Sequence, residues 1–441
     1  MSQQQRIFFW SITAALGGFL FGFDTAVISG VEQSLQTLWK LDVWEHGLTV
    51  SIALIGTVVG SMTGGVAADR LGRRQTLFWI AVLYLLSSIG TGLAMNWWTF
   101  LVFRFLGGLG VGASSVAAPM YITEISPPKS RGRLVALFQF NIVLGILVAY
   151  LSNYLLAGVG GAEAWRWMLG VQAFPSLVFL IAVLNIPESP RWLLLAKGQV
   201  AKAREVLHMI DPATAEATLA AIRQHAEQSP AGRLFDKAYR RPVVLAVLFA
   251  VFNQVSGINA IIYYAPRVFE MAGLGKNSAL LSSAGIGLVN LIFMLLSLSV
   301  IDRYGRRTLM KIGSVGLIVV LGLVARAFYV EDFGGMTVPL LLFAYIGFFS
   351  FSQGAVIWVF ISEIFPNEVR GSGQALGSFT HWFMAALITF TFPYFVERVG
   401  GGNTFLFFTA MMVLQLIFVL RMMPETKGTS LEQIERTFIA H

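Results

Sequence analysis

The chain has 441 residues, of which 56% are hydrophobic and only 12% charged. A soluble domain is roughly a quarter charged, so half that fraction over this length excludes an ordinary water-soluble protein and points to a membrane. The net charge of +8 does not require nucleic acid, because positive charge in a membrane chain collects in its cytoplasmic loops. The absence of cysteine excludes disulfides and thiolate metal sites, and the five histidines show no metal-ligand spacing.

Twelve apolar runs have about the ~20 residues needed to cross a bilayer. They fall at 7–30, 48–68, 76–95, 98–121, 132–156 and 165–186, then 241–266, 278–301, 308–330, 336–362, 371–396 and 402–423. The first is too long for a signal peptide, is interrupted by Asp24 and lacks a clear cleavage site, so it reads as a retained helix. Asp24 is out of place there. A carboxylate inside a span costs about 2.5–3.5 kcal/mol on insertion scales, so it should be paired or protonated. The candidate partner is Arg104, the one basic residue inside span 4. Arg104, Gly108 and Gly112 form a helical stripe, and its glycines let a neighbouring helix approach closely. The pair reads as a proton switch, charged when closed and released on protonation; the alternative is a static structural ion pair.

Between spans 6 and 7 lies the one long hydrophilic segment, 187–240. Its pattern predicts short amphipathic helices around Ala201–Leu207 and from about Thr214 to Ala226, the second opening after Asp211-Pro212. Span 7 is unusually polar, with Asn253, Gln254, Ser256, Asn259, Tyr263 and Tyr264. An unsatisfied polar group in hydrocarbon costs on the order of several kcal/mol, so these side chains pair with one another or line a wet cavity. Neutral donors and acceptors suit a polyhydroxylated ligand better than an ion. Gln254 and Asn259 stand five residues apart, about 140° around a straight helix. Gly257 between them, with Pro266 beyond, allows a bend or a break.

Basic residues cluster after even-numbered spans, as in Arg70, Arg73 and Arg74, in Lys129, Arg131 and Arg133, and in Arg303, Arg306, Arg307 and Lys311. Those loops are expected in the cytoplasm, with both termini. The halves also repeat. Asp69-Arg-Leu-Gly-Arg-Arg74 recurs as Asp302-Arg-Tyr-Gly-Arg-Arg307, Glu124 with Arg131-Gly132 as Glu363 with Arg370-Gly371, and Pro187-Glu-Ser189 as Pro424-Glu-Thr426. The expected fold is therefore an all-α membrane protein of twelve helices in two pseudo-symmetric six-helix bundles. Residues 1–186 form the first bundle, 187–240 a cytoplasmic helical linker, 241–423 the second bundle and 424–441 a cytoplasmic tail. Parallel halves of this kind are a transporter architecture with substrate bound between them. Each loop places charges beside the cytoplasmic ends of neighbouring helices. The candidate latch comprises Asp69, Arg70, Arg74, Glu124 and Arg131, with Asp302, Arg303, Arg307, Glu363 and Arg370; the alternative is topology anchoring alone.

Those two loops combine with Arg104-Phe-Leu-Gly-Gly, Pro119-Met-Tyr-Ile-Thr-Glu124, Pro187-Glu-Ser-Pro-Arg-Trp-Leu, Gln254-Val-Ser-Gly-Ile-Asn259 and Pro424-Glu-Thr-Lys-Gly. Together they resemble the sugar porter family of the major facilitator superfamily, and within it the bacterial proton-coupled pentose and hexose symporters. The resemblance runs from span 1 to the tail. It implies proton coupling at Asp24 and sugar contacts from Gln139, Gln254, Asn259, Tyr263, Asn290, Trp358 and Trp382, with Tyr263 and Tyr264 as an outer gate. Amides match sugar hydroxyls, and indoles cover the C–H face of a sugar ring. Trp97, Trp98, Trp165 and Trp167, near span ends, read as packing or interface residues.

Asn253 and His381 join the contacts as departures. The family pattern usually has Gln where Asn253 stands, and xylose symporters have Gln where His381 stands. Gly354-Ala355 lacks the proline common in relatives, which leaves open how span 10 bends. Ile146 leans toward a hexose. No enzyme constellation appears, and the resemblance implies no cofactor. The expected partners are a monosaccharide, protons and the lipid of a cell (inner) membrane, with the chain working as a monomer. Two alternatives stand beside the symporter: a facilitative sugar or polyol uniporter, and a non-transporting sugar sensor, against which the short tail argues.

Overall fold

The computed structural model describes residues 2–127, 130–228, 234–331, 333, 336–366 and 368–427. Lys129, residues 229–233 of the linker and the tail from 428 onward lie outside the described residues. Among the described residues the chain is helical, with no strand. That follows from the solvent, since a segment crossing lipid must satisfy its backbone N–H and C=O groups internally.

The first half contains α1 (Gln3–Val27), α2 (Glu32–Trp39), α3 (Val43–Leu71), α4 (Arg73–Gly92), α5 (Trp97–Ile125), α6 (Arg131–Leu156), α7 (Ala164–Gly170) and α8 (Ala173–Val183). Short helices follow, α9 (Pro190–Leu195), α10 (Val200–Ile210) and α11 (Ala215–Gln228). The second half contains α12 (Arg240–Val255), α13 (Ile258–Tyr263), α14 (Ala265–Met271), α15 (Lys276–Tyr304), α16 (Arg306–Val330), α17 (Thr337–Phe349), α18 (Ala355–Glu363) and α19 (Arg370–Arg421). Among the described residues, 11 helical stretches are long and apolar enough to cross a membrane. The last is 52 residues long, which at ~1.5 Å per residue far exceeds a ~30 Å hydrocarbon core. It is broken at Gly400, whose φ of 84° and ψ of 159° are not helical. The 52-residue stretch is thus two spans, and the chain is a multi-pass membrane protein with twelve spans among the described residues.

Two spans bend where the sequence left the geometry open. Span 7 breaks at Gly257, at φ 88° and ψ 9°. A Cβ there would lie 2.6 Å from the Phe408 ring, so glycine is required by both conformation and space. Span 10 lacks the proline and bends through a π-helical turn at Ser350–Gly354 instead. Such a turn changes the helix direction without removing a backbone donor.

The residues divide into two compact units. The first takes α1, the part of α3 from Ile52, α4, α5, α6 to Ala149, and the stretch from Gly158 into the linker helices. There α3 and α5 meet backbone to backbone: a Cβ on Gly108 would lie 1.9 Å from the Ala53 carbonyl oxygen, and one on Gly112 2.2 Å from that of Thr57. Close approach of this kind supplies the dispersion contacts that replace the hydrophobic effect in lipid. The second unit takes Ile28–Ser51, Tyr150–Ala157 and α12 to α19. Its core at one end packs Phe249 against Phe360 and Phe418, with Leu309, Met310 and Ile357.

Candidate functional site

Asp24 and Arg104 lie in the first unit, brought together by the packing of α1 on α5. Both are almost fully buried, and Arg104 Nη1 donates to Asp24 Oδ1 at 2.7 Å. Arg104 Nη2 also reaches the Asp24 carbonyl oxygen at 3.3 Å, while Arg104 Nε has no hydrogen-bond partner among the described residues. Gly107 leaves room for the carboxylate; a Cβ there would stand 3.5 Å from Asp24 Oδ1 and 2.4 Å from Ser87 Oγ. Buried Gln172, between α7 and α8, lies against the same carboxylate. Sequence reasoning missed Gln172, although an amide inside an apolar span is the same kind of signal as Asp24. An ion pair in low dielectric is held tightly only while both charges persist. Removing one leaves the other exposed to a desolvation cost of about 3–5 kcal/mol, so proton binding to Asp24 is a strong perturbation.

The amide cluster lies in the second unit. The break at Gly257 undoes the 140° separation and turns Asn259 back onto Gln254, with Asn259 Nδ2 donating to Gln254 Oε1 at 2.7 Å. Gln254 Nε2 donates to Asn253 Oδ1 at 3.0 Å and lies 3.2 Å from a ring nitrogen of His381. The His381 ring in turn meets Trp358 at 4.9 Å and Trp382 at 4.8 Å between centroids. Six of the sequence-identified contacts are therefore one connected group: Asn253, Gln254, Asn259, His381, Trp358 and Trp382. Asn253 Nδ2 is buried and has no partner among the described residues, which leaves a donor for a ligand hydroxyl. Trp358 is the most exposed of the group, at 37%.

The remaining candidates are placed elsewhere. Asn290 on α15 accepts a hydrogen bond from Ser350 Oγ at 2.8 Å and so braces the π-helical turn. Gln139, half-buried on α6, belongs to the first unit. Tyr263 is buried at the end of α13. Tyr264, also buried, donates to the Thr389 carbonyl oxygen at 3.0 Å and packs on Phe392. Among the span-end tryptophans, Trp98 and Trp167 are exposed and Trp165 is buried.

The repeated charge motifs build the same structure twice. In the first unit Arg73 lies 3.0 and 3.1 Å from the two Glu124 oxygens and 3.1 Å from Asp69. Ser189 Oγ also donates to Glu124. In the second unit Arg306 makes the same fork on Glu363, at 2.8 and 3.2 Å, and lies 2.9 Å from Asp302, while Thr426 donates to Glu363 at 2.6 Å. The ion-pair partners are thus Arg73 and Arg306. Arg74 and Arg307, the arginines expected there, do something else. Arg74 donates to the Val183 and Leu184 carbonyl oxygens at the end of α8, and Arg307 to those of Val419 and Leu420 at the end of α19. The last carbonyls of a helix have no intrahelical donor, and a guanidinium fork supplies one.

The conserved-by-duplication glycine and glutamate now have a joint explanation. Glu188 accepts from the N–H groups of Arg73 and Arg74 at 2.8 and 3.0 Å, at the start of α4. Glu425 accepts from Arg306 and Arg307 at 2.9 and 3.1 Å, at the start of α16. A carboxylate is favoured at a helix N-terminus, where unpaired N–H groups and the helix dipole point at it. A Cβ on Gly72 would lie 2.4 Å from Glu188, and one on Gly305 2.5 Å from Glu425; both glycines have positive φ. Burial raises the Glu188 carboxyl above the usual carboxylate range, against the backbone hydrogen bonds that favour its charged form. Of the other latch candidates, Arg70, Arg131 and Arg303 are exposed. Arg131 and Arg370 donate to nearby backbone carbonyls of Ser126 and Phe365.

Residues 10–438 match the model of the sugar (and other) transporter family. The chain is 37% identical over 438 residues to an arabinose-proton symporter of Bacillus subtilis, covering 97% of this chain and 94% of that protein. It is 36% identical over 451 residues to a glucose transport protein of Synechocystis, covering 96% and 95%. It also superposes on the inward-open form of the xylose transporter XylE from E. coli with a TM-score of 0.88 at 33% identity, covering 98% of this chain and 100% of that one.

Proposed function

The chain belongs to the sugar transporter family, and on that premise we propose that it is a proton-coupled monosaccharide symporter working by alternating access. The observation that carries the reading is the buried Asp24–Arg104 pair at 2.7 Å, present in the same chain as a connected amide, imidazole and indole cluster. The cluster has the chemistry of a sugar site: amides that donate and accept, and indole faces for C–H surfaces. Two relatives matched over 94% and 95% of their own length are named for proton symport of arabinose and transport of glucose, which supports a monosaccharide, hexose or pentose, as the substrate class.

In this reading residues 1–186 and 241–423 are the moving halves, joined by the linker 187–240, and the chain functions as a monomer. It sits in the cell membrane with the arginine-rich loops and both termini in the cytoplasm, as the distribution of Lys and Arg favours. A proton on Asp24 discharges the pair with Arg104 and frees α1 from α5. Sugar binding on Asn253, Gln254 and Asn259 then commits the loaded carrier to reorient. A membrane potential drives the cycle, because each charge carried yields about 2.3 kcal/mol per 100 mV. The Arg73–Glu124 and Arg306–Glu363 forks hold the cytoplasmic helix ends in each half.

The test is transport by purified protein in vesicles. Asp24→Asn keeps the shape of the carboxylate and removes its charge. It is expected to abolish uphill accumulation driven by a proton gradient while leaving sugar counterflow within a few-fold of wild type. Uphill accumulation by the variant would overturn proton coupling at Asp24, and equal accumulation with and without a gradient in wild type would favour the uniporter.

A further inference from the structure

The second unit buries a charged group of its own that the transport reading does not use. Glu32 opens α2 and is fully buried, as is His46 in the first turns of α3. Arg267 on α14 forks onto Glu32, with Nε 3.0 Å from Oε1 and Nη2 3.0 Å from Oε2, and also donates to Gln36. His46 Nε2 lies 2.6 Å from the same Glu32 Oε2. Asp42 fixes His46 in place by accepting from the N–H groups of Trp44 and Glu45 at 2.8 Å, at the start of α3.

The partners come from both repeats. Glu32, Gln36 and His46 belong to the first half of the sequence and Arg267 to the second, 235 residues from Glu32. Around the charges lie other contacts between the same segments. Trp44 stacks on Tyr394 at 4.6 Å. A Cβ on Gly47 would stand 2.2 Å from the Phe390 carbonyl oxygen. Tyr150 donates to the Ile262 carbonyl oxygen at 2.7 Å. The His46 ring meets Tyr264 edge-on at 5.9 Å. All of these residues are in the second unit, at the ends of the spans opposite the arginine-rich loops.

We propose that Glu32, gripped by Arg267 and His46, is a positioning residue for transport: the latch that holds this end of the carrier shut. The inference rests on the alternating-access reading. A carrier that admits sugar from this end must part the two repeats here. Parting them separates Glu32 from Arg267 and returns both to water. A carboxylate this deeply buried is tolerated only with its oxygens satisfied, so the cluster is bound firmly when dry and released cheaply when wet. A latch of this kind sets how much of the time the end stays closed. It needs no participation in proton coupling or in sugar contact.

The chain has no cysteine, so one introduced thiol reports without background. Ile262→Cys places it where α13 meets Tyr150, at a position that is 6% exposed. Labelling by a membrane-impermeant maleimide from the outside is then measured in vesicles, with sugar counterflow measured in parallel. In that background Glu32→Gln and Arg267→Gln are each expected to speed labelling about tenfold, the equivalent of ~1.4 kcal/mol. The double variant should be no faster than the faster single one, because one interaction is lost in each. His46→Gln, which leaves the Arg267 fork intact, should give a smaller increase and serves if the charge variants fail to fold. Unchanged labelling in folded variants that still exchange sugar overturns the latch and leaves the transport reading standing. Faster labelling in variants of a protein whose wild type exchanges no sugar supports the latch and sinks the transport reading instead. A drop in melting temperature with no change in labelling assigns Glu32 a purely structural role and also overturns the proposal.

Discussion

The two repeats agree at their arginine-rich ends and differ in the middle of the membrane. At the ends each charge has a counterpart: Arg73 and Arg306 on Glu124 and Glu363, Glu188 and Glu425 at helix starts, Arg74 and Arg307 over helix carbonyls. In the middle, the first span of one half carries Asp24 bound to Arg104, and the first span of the other carries the Gln254–Asn259 amide pair. The ends solve one mechanical problem twice, which is to tie four helix termini together with a few charges. On the proposed function the midspan positions face different chemistry, a proton in one half and a neutral polyol in the other. On that reading divergence marks where function is divided, and retention marks where geometry is shared.

That contrast can be broken by paired substitutions. The largest effect is expected in the middle. Gln254→Ala should raise the half-saturating sugar concentration about 10- to 100-fold, in line with ~1.4–2.7 kcal/mol of lost hydrogen bonding, while sugar-linked proton movement persists at saturating sugar. Asp24→Asn should do the reverse, with affinity within a few-fold and coupling lost. If both variants lose both properties, the division of labour is wrong.

The next effect is at the ends. Glu124→Gln and Glu363→Gln each remove the charge from a largely buried fork on Arg73 or Arg306. Each should change the transport rate several-fold and by a similar amount, as a few tenths to ~2 kcal/mol per charge-assisted pair would give. A silent variant in one half and a crippled one in the other would show that the two copies have separated in role. Gly72→Ala and Gly305→Ala should each lower stability by about 1–3 kcal/mol, from positive φ and from the clash with Glu188 or Glu425. Thermal unfolding in detergent reads this directly. Smallest are Arg74→Lys and Arg307→Lys, which keep the charge but lose the fork across two carbonyls. Each should cost about 0.5–1.5 kcal/mol, and a larger loss would mean that these arginines hold more than helix ends.

The spans, their number and the duplication were legible because hydrophobic run length and repeated motifs are linear properties of a chain. The proximity of Asp24 and Arg104 was legible too, since a buried charge demands a partner and few are available. The break at Gly257 could be anticipated from the conflict between two amides and a straight helix. Which arginine grips the acid could not. Arg73 and Arg74 are consecutive, about 100° apart around a helix, and nothing local says which one faces Glu124. Glu188 and Glu425 were visible as repeats, yet their task depends on Gly72 and Gly305 lying beneath them, more than 100 residues away. The Glu32, His46 and Arg267 cluster has no linear motif at all; only folding brings its three segments together. Span 10 bends by a π-helical turn, which no single residue type announces.

The central claim is that Asp24 carries the proton that moves with the sugar. The most direct measurement is the pH change outside lightly buffered vesicles when sugar is added outside under a dissipated membrane potential. Wild type should alkalinise the medium in proportion to the sugar taken up, and Asp24→Asn should take up sugar by exchange with no pH change. A sugar-dependent alkalinisation that survives in Asp24→Asn would contradict the account.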